Sequence, residues 1–254
     1  MISAGMIFPR VSARTRQRLT RAWAAKLLRI LNIALSIHGA RPATDSRYLV
    51  VVANHTSWLD IFVINATQPS RFVAKSEIRD WPGAGWLCEK AGTIFVQRAK
   101  RSDTSRINRE IHDALELGDV VAIFPEGTTT CGDRLLKFHT ALFEPAVANG
   151  ATIAAGAIRY VNGDGTPAPA ASFAGETSFS ESMSMIIAQQ SMRAEMMFAP
   201  PISTIGSDGL AISRRDAALA AEDAIARLLN LPKPHALQRF GDDAVVQQTL
   251  RVNP

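Results

Sequence analysis

Apolar runs of strand length alternate with amphipathic stretches along most of the chain. The β-branched run over residues 48–53 predicts a buried strand, and the apolar residues over 58–64 predict a helix directly after it. Further strands are predicted over residues 71–74, 92–98, 119–124, 151–160 and 193–198, and further helices over 102–117, 138–149, 183–190 and 213–229. This alternation predicts an α/β fold with a single layered domain, in which helices flank a largely parallel central sheet.

The first forty residues differ from this body in pattern and in charge. Apolar residues at three- and four-residue spacings, Trp23 among them, predict a basic amphipathic helix over residues 19–38. The chain has a formal net charge of +5, and eight Lys and Arg residues precede the first acid, Asp45, so the remainder carries −3. Such a helix is typical of attachment to anionic lipid. The alternative is a helix packed on the body with its charges solvated.

Three regions are therefore expected: a membrane-associating segment over residues 1–41, a globular domain over 42–232 and a peripheral tail over 233–254. No apolar run reaches the ~18 residues of a transmembrane helix, and charges interrupt the one candidate for a signal peptide. The two cysteines provide no disulfide framework, which favours a reduced cytosolic setting. No nucleic-acid-binding motif is present, so nucleic acid is not an expected partner.

A polar cluster, Asn54 to Asp60, directly follows the first buried strand of the predicted domain. Open α/β sheets bind ligands at the carboxyl ends of their strands, so polar residues here are candidates for a site. His55 is suited to proton transfer near neutral pH. Asp60 is close enough along one helical turn to orient the ring, and Ser57 is the predicted helix N-cap. Alone, the spacing is a weak signal, because an aspartate at a helix start is often only a partner of the helix dipole.

Other polar residues follow other predicted strands. Arg98 ends the strand over 92–98, where a guanidinium can bind a phosphate or carboxylate through two hydrogen bonds. The segment from Pro125 to Thr130 follows the strand over 119–124. In that segment Gly127 permits close approach of the backbone to a ligand, and Glu126 with the threonines supplies acceptors and donors.

Three blocks in this order resemble the glycerolipid acyltransferase family, which includes the 1-acyl-sn-glycerol-3-phosphate acyltransferases. The family patterns are N-H-x-x-x-x-D, G-x-I/V-F-x-x-R and F-P-E-G-T. Their matches are Asn54, His55 and Asp60; Gly92, Ile94, Phe95 and Arg98; and Phe124, Pro125, Glu126, Gly127 and Thr128. The resemblance covers residues 47 to 205.

The resemblance implies that a fatty acyl group moves from an acyl thioester to the hydroxyl of a lysolipid. His55 would be the general base and Asp60 its orienting carboxylate, with no covalent acyl-enzyme and no cofactor or metal. The donor is either acyl-CoA or acyl-acyl carrier protein, which makes acyl carrier protein a further candidate partner. The acyl chain needs an apolar groove, for which Trp58, Trp81 and Trp86 are candidates. The expected substrate-binding residues are Asn54, Lys75, Arg98, Glu126, Gly127, Thr128 and Thr129.

The third block departs from the family at one point. Many members with phosphate acceptors continue it with Arg and Ser, whereas this chain has Thr129 and Thr130. Loss of a guanidinium weakens the case for a phosphate head group, although Arg98, Lys75 or Arg134 can replace it. Two acceptors therefore remain open: lysophosphatidate, the commonest in the family, and lyso-ornithine lipid.

Two other classes of function compete with acyl transfer. A thioesterase or lipid hydrolase is disfavoured because the chain has no Gly-x-Ser-x-Gly nucleophile elbow. A non-enzymatic peripheral lipid-binding protein would use the N-terminal helix but leaves the polar strand-end clusters without a role. The expected location of the enzyme is the cytoplasmic face of a membrane, as a peripheral or monotopic protein in contact with membrane lipids.

Overall fold

The computed structural model describes residues 12–42, 48–76, 93–96 and 101–234, together with Arg79 and Glu89. Its sheet has eight strands in the order β1-β7-β6-β2-β5-β3-β4, with β8 beside β6. The strands are β1 Ile33–Gly39, β2 Leu49–Ala53, β3 Arg71–Lys75, β4 Ile94–Val96, β5 Val121–Ile123, β6 Thr152–Asn162, β7 Met192–Phe198 and β8 Ile202–Ser203. From β6 to β4 every neighbouring pair is parallel, whereas β7 and β8 run antiparallel to β6.

Helices cover both faces of this sheet. They are α1 Ala13–Ile30, α2 Asp60–Thr67, α3 Arg101–Glu116, α4 Glu144–Ala148, α5 Phe179–Ile187 and α6 Arg214–Leu229. One buried cluster joins the sheet to α1, α2 and α5, and a second joins it to α3, α4 and α6. The predicted α/β class, with a mostly parallel sheet between helices and a helix at the N-terminal end, is confirmed.

The central strand β2 shows why this sequence forms a sheet with two covered faces. All five of its residues are buried. Val51 and Ala53 belong to the cluster on one face, and Val50 and Val52 to the cluster on the other. Successive strand residues point to opposite faces, so a continuous apolar run requires cover on both sides. The chain leaves β2 at the edge of the sheet where the polar cluster begins.

The predicted helix over residues 19–38 is correct only in its first part. Asn32 has a left-handed backbone with φ of 57°, and residues 33–39 form β1. β1 pairs in parallel with β7, so strand pairing at the sheet edge overrides the helical spacing of the apolar residues. The predicted boundary after residue 41 stays a prediction, but the segment before it contributes a strand to the sheet. No helix in the described part of the chain is long and apolar enough to cross a bilayer.

Two shorter elements also differ from expectation. The helix predicted over 138–149 is a 3-10 turn, Thr140–Phe143, followed by the five-residue α4. Pro145 at the start of α4 explains the late onset, since proline is tolerated in the first helical turn and disfavoured inside a helix. The predicted N-cap Ser57 is wrong: α2 begins at Asp60, and its N-cap residue is Leu59.

Candidate active site

His55 and Asp60 form a close pair at the carboxyl end of β2. His55 Nδ1 lies 2.8 Å from Asp60 Oδ2, and this aspartate is fully buried. The imidazole keeps about 20% of its surface exposed, and none of the described residues hydrogen-bonds its Nε2. The pair therefore presents one ring nitrogen to the outside and holds the other against a carboxylate.

The chain between the two residues is wrapped around that carboxylate. The backbone N–H groups of Thr56 and Ser57 donate to Asp60 Oδ2 at 2.8 and 2.9 Å. A carboxylate that accepts several hydrogen bonds is fixed in position. The tight turn therefore places the Asp60 carboxylate against His55 Nδ1.

Two aromatic residues complete this arrangement, and sequence reasoning did not give either of them a role. Phe124, the last residue before the turn after β5, stacks on the imidazole with ring centroids 4.0 Å apart and an interplanar angle of 11°. Tyr160, near the end of β6, donates its hydroxyl to Asp60 Oδ1 at 2.7 Å. The signal available for Tyr160 was its place near the carboxyl end of a strand parallel to β2.

Asn54 connects two strands of the sheet. Its side-chain amide donates to the carbonyl oxygen of Ile158 at 2.9 Å, and its side-chain oxygen accepts from the Ile158 N–H at 2.7 Å. The residue is buried. Both ends of the amide are therefore engaged with β6, and the predicted contact of Asn54 with substrate stays a prediction. Its observed contacts set the position of β2 immediately before His55.

Glu126 joins the two polar clusters. Its Oε1 accepts from the backbone N–H of His55 at 2.8 Å, and its Oε2 accepts from the backbone N–H of Leu136 at 2.9 Å. The side chain is almost entirely buried. Both oxygens are used to hold the loop after β2 against the loop after β5. A direct contact between Glu126 and substrate stays a prediction.

The protonation of Glu126 is set by opposing influences. Burial raises the pKa of its carboxyl to about 7, while the N–H groups of Leu136 and His55 act in the opposite direction and the charges of Asp60 and Glu222 add to the rise. A carboxyl whose pKa is raised on folding stabilises the native state at low pH. That contribution is complete below the unfolded value of 4.5 and is lost as pH rises toward about 7.

We expect the free energy of unfolding to lose about 3 kcal/mol from this one group between pH 4.5 and 7. Urea unfolding of the wild type and of Glu126→Gln at several pH values measures the difference. The variant should lack this part of the pH dependence. It should also be less stable at pH 5, because its amide NH₂ faces a backbone N–H that loses its acceptor.

Glu144→Gln, on an exposed carboxylate, is the control and should follow the wild type. Parallel curves for Glu126→Gln and the wild type would contradict the expectation.

The loop from Gly127 to Thr130 packs on the residues around His55. Gly127 has φ of 70°, a left-handed conformation that favours glycine, and Thr128 is exposed. Thr129 donates its hydroxyl to the carbonyl oxygen of Phe173, and the Thr130 N–H donates to the His55 carbonyl oxygen at 2.9 Å. These hydrogen bonds hold the two residues that follow the third block against the first block and against the segment after β6.

The remaining predicted residues are placed in part or lie outside the described residues. Lys75 ends β3, which is parallel to β5 and so finishes at the same edge of the sheet as His55. Arg98, Trp81 and Trp86 lie outside the described residues, as does Gly92 of the second block. Trp58 is partly buried and donates its ring N–H to the Ser182 hydroxyl at 3.1 Å. It lies where α2 meets α5.

The described part of the site contains a histidine, a buried carboxylate and backbone loops, without a cluster of metal ligands. In the described ranges of the chain no group of three or more His, Cys, Asp and Glu side chains could hold a metal ion. Ser57, two residues after His55, is fully buried, and its Oγ accepts from the Leu59 N–H at 3.3 Å. The arrangement suits proton removal from an external hydroxyl by His55 Nε2.

Comparison with known proteins gives one family. A family model described as Acyltransferase matches residues 34–159. The lyso-ornithine lipid O-acyltransferase of Pseudomonas aeruginosa is 36% identical over 200 residues, which cover 79% of this chain and 76% of that protein. The 1-acyl-sn-glycerol-3-phosphate acyltransferase of Neisseria gonorrhoeae is 41% identical over 153 residues, which cover 60% of this chain and 59% of that protein.

A solved structure shares the fold. The crystal structure of the 1-acyl-sn-glycerophosphate acyltransferase from Thermotoga maritima matches with a TM-score of 0.63 and 21% sequence identity. The match covers 85% of this chain and 79% of that one. At this identity the likeness concerns the architecture, in which the carboxyl ends of the parallel strands meet at one edge.

Proposed function

The chain belongs to the acyltransferase family, and we propose that it moves a fatty acyl group from an acyl thioester to the hydroxyl of a lysolipid through His55. The observation that carries this proposal is the 2.8 Å contact between His55 Nδ1 and the buried Asp60 carboxylate. That contact keeps the Nδ1 proton on the side of Asp60, which leaves the Nε2 lone pair available as a base.

The reaction needs only one proton to be moved and returned. His55 Nε2 takes the proton of the acceptor hydroxyl as its oxygen attacks the thioester carbonyl, and the charge of Asp60 stabilises the resulting imidazolium. Collapse of the tetrahedral intermediate expels the thiolate, which receives the proton from His55. The stacked Phe124 ring supports the same step, since an aromatic face attracts a cation and fixes the ring plane.

For the acceptor we place 1-acyl-sn-glycerol-3-phosphate first and lyso-ornithine lipid second. The first is the substrate in the name of the Neisseria relative, and the second is the substrate in the name of the Pseudomonas relative. The second acceptor is favoured by Thr129, because a threonine whose hydroxyl is bound to the Phe173 carbonyl oxygen offers no charge to a phosphate. The donor is acyl-CoA or acyl-acyl carrier protein.

A panel of acceptors tests the reaction and the choice together. Purified enzyme is supplied with radiolabelled acyl-CoA, or with labelled acyl-acyl carrier protein, and with lysophosphatidate, other lysophospholipids or lyso-ornithine lipid. We expect a labelled diacyl lipid from lysophosphatidate. Product from lyso-ornithine lipid alone would reverse the order of the acceptors, and release of free fatty acid with no diacyl lipid would make the protein a hydrolase.

We also propose that the face carrying α1 and α5 contacts membrane lipid. Rings form a continuous line across it, from Trp23 to Phe62 at 5.5 Å, to Trp58 at 5.8 Å and to Phe179 at 5.2 Å. Large exposed apolar residues extend this line on both helices, namely Leu19, Trp23 and Ile30 on α1 and Phe179 and Ile187 on α5. The exposed arginines and lysine of α1 supply attraction to anionic head groups.

This surface predicts a specific loss of membrane binding. Ile30→Glu with Ile187→Glu changes two side chains that are 68% and 65% exposed, so folding should be unaffected. We expect at least tenfold weaker binding to phosphatidylglycerol vesicles in a flotation assay, because two apolar contacts are lost and two negative charges are added. Leu117→Glu, at a residue 72% exposed beyond the end of α3, is the control and should bind as the wild type does. Equal binding by all three proteins would rule out this face.

A further inference from the structure

Tyr160 reaches the proposed reaction centre from a distant part of the chain. It lies near the end of β6, a hundred residues after Asp60, and only 7% of it is exposed. Its hydroxyl donates to Asp60 Oδ1 at 2.7 Å, while Oδ2 accepts from Thr56 N and Ser57 N and lies 2.8 Å from His55 Nδ1. Among the described residues, the Tyr160 hydroxyl is the hydrogen-bond partner of Oδ1, and Asp60 has no exposure to solvent.

We propose that Tyr160 is a positioning residue for acyl transfer, which holds Asp60 in the orientation that keeps His55 ready to accept a proton through Nε2. This inference rests on the proposed role of His55 as the base. Tyr160 is buried behind the aspartate and is not expected to touch substrate. Its effect should therefore fall on turnover and on the pH dependence of turnover rather than on substrate binding.

Hydrogen bonding explains why a phenol suits this position. A donor on Oδ1 draws part of the carboxylate charge away from Oδ2 and stops the group from rotating about its Cβ–Cγ bond. Burial first, and the charge of Asp60 second, raise the pKa of Tyr160 well above its ordinary value, so the phenol remains a donor throughout the working pH range. The ionisable side chains that contact His55 or its aspartate, among the described residues, are Asp60 itself, Glu126 and Tyr160.

Tyr160→Phe removes the donor and keeps the ring. We expect kcat to fall by about 10- to 100-fold, the usual effect of losing a hydrogen bond to a charged group, with KM within about twofold of the wild type. More negative charge would then face His55 Nδ1 and favour the imidazolium. A more stable imidazolium loses its proton at a higher pH. The acid limb of the profile of kcat/KM against pH should therefore move to higher pH.

Tyr48→Phe is the matched control. The chain has two tyrosines, and Tyr48 donates its hydroxyl to Glu116 at 3.0 Å on the exposed side of the molecule. That variant should keep the wild-type kcat and pH profile. A wild-type profile for Tyr160→Phe, in an assay where His55→Ala shows its expected loss of activity, would overturn the role of Tyr160 alone. Wild-type activity in His55→Ala would instead overturn the proposed function.

A measurement on the unsubstituted enzyme covers the case in which Tyr160→Phe fails to fold. Protein labelled with ¹³C at the tyrosine ζ carbon gives two NMR signals, and Tyr48→Phe assigns them. We expect the Tyr160 signal to shift across the same pH range as the acid limb of the rate profile, because the phenol senses the charge of the His55–Asp60 pair. A Tyr160 signal that stays constant over that range overturns the proposal.

Discussion

Replacing His55 with alanine will lower kcat for acyl transfer by about 10²- to 10⁴-fold, the range that a positioned general base contributes. The lipid acceptor has an unactivated hydroxyl, so attack on the thioester slows when no group takes its proton. Alanine leaves the backbone contacts of residue 55 intact, including the N–H donated to Glu126 and the carbonyl oxygen that accepts from Thr130. The fold should survive, and KM should change little.

A labelled-product assay, with folding checked by thermal denaturation, makes this measurement. His112→Ala is the control, since His112 lies on the exposed side of α3 and contacts Asn149. The control should retain wild-type activity. Equal rates for His55→Ala and the wild type would eliminate the base mechanism. Production of free fatty acid by the variant, without diacyl lipid, would show that water replaces the acceptor when the base is absent.

Local patterns in the sequence were enough to predict the architecture and the family. The run at β2 is apolar without alternation, and such a run requires helices on both faces of its sheet. The order of the three blocks predicted the glycerolipid acyltransferase family, which the comparisons confirm. His55 and Asp60 could be paired because they are five residues apart, so the turn that joins them is short and local.

The contacts that sequence reasoning missed all connect distant segments. Tyr160 reaches Asp60 only because β6 pairs with β2, and that register is a property of the whole sheet. β1 was expected to be helical because its apolar residues have helical spacing, yet pairing with β7 determines its conformation. Propensity and spacing describe a segment by itself, while a sheet is decided by partners elsewhere in the chain.

Glu126 makes contacts that its place in a motif did not specify. An acid in a glycine-containing loop at a strand end suggests a substrate contact. In the structure its two oxygens accept the N–H groups of His55 and Leu136, one from each loop. The residue therefore acts on the position of His55. Because both partners are backbone N–H groups of other segments, no side-chain pattern in the sequence indicated these contacts.

Asp60→Asn should lower kcat by about 10²- to 10⁴-fold. The substitution removes the charge of Asp60 and keeps the geometry of the site. The three N–H donors around Oδ2 require an acceptor, so the asparagine will turn its carbonyl oxygen toward them. The side-chain NH₂ then faces the Tyr160 hydroxyl, which can rotate to accept. The shape of the site is preserved, and the missing component is the negative charge that stabilises the imidazolium.

The pH profile of this variant provides the decisive measurement. With a neutral amide beside Nδ1 the imidazolium is less favoured, so the acid limb of kcat/KM should move to lower pH. Tyr160→Phe should move the same limb to higher pH, because it leaves the full charge of Asp60 facing the ring. Asp216→Asn, at the exposed start of α6, controls for general loss of a carboxylate. Shifts in the same direction for Asp60→Asn and Tyr160→Phe would mean that both act through disorder of the site. Opposite shifts require that each acts through the charge beside His55.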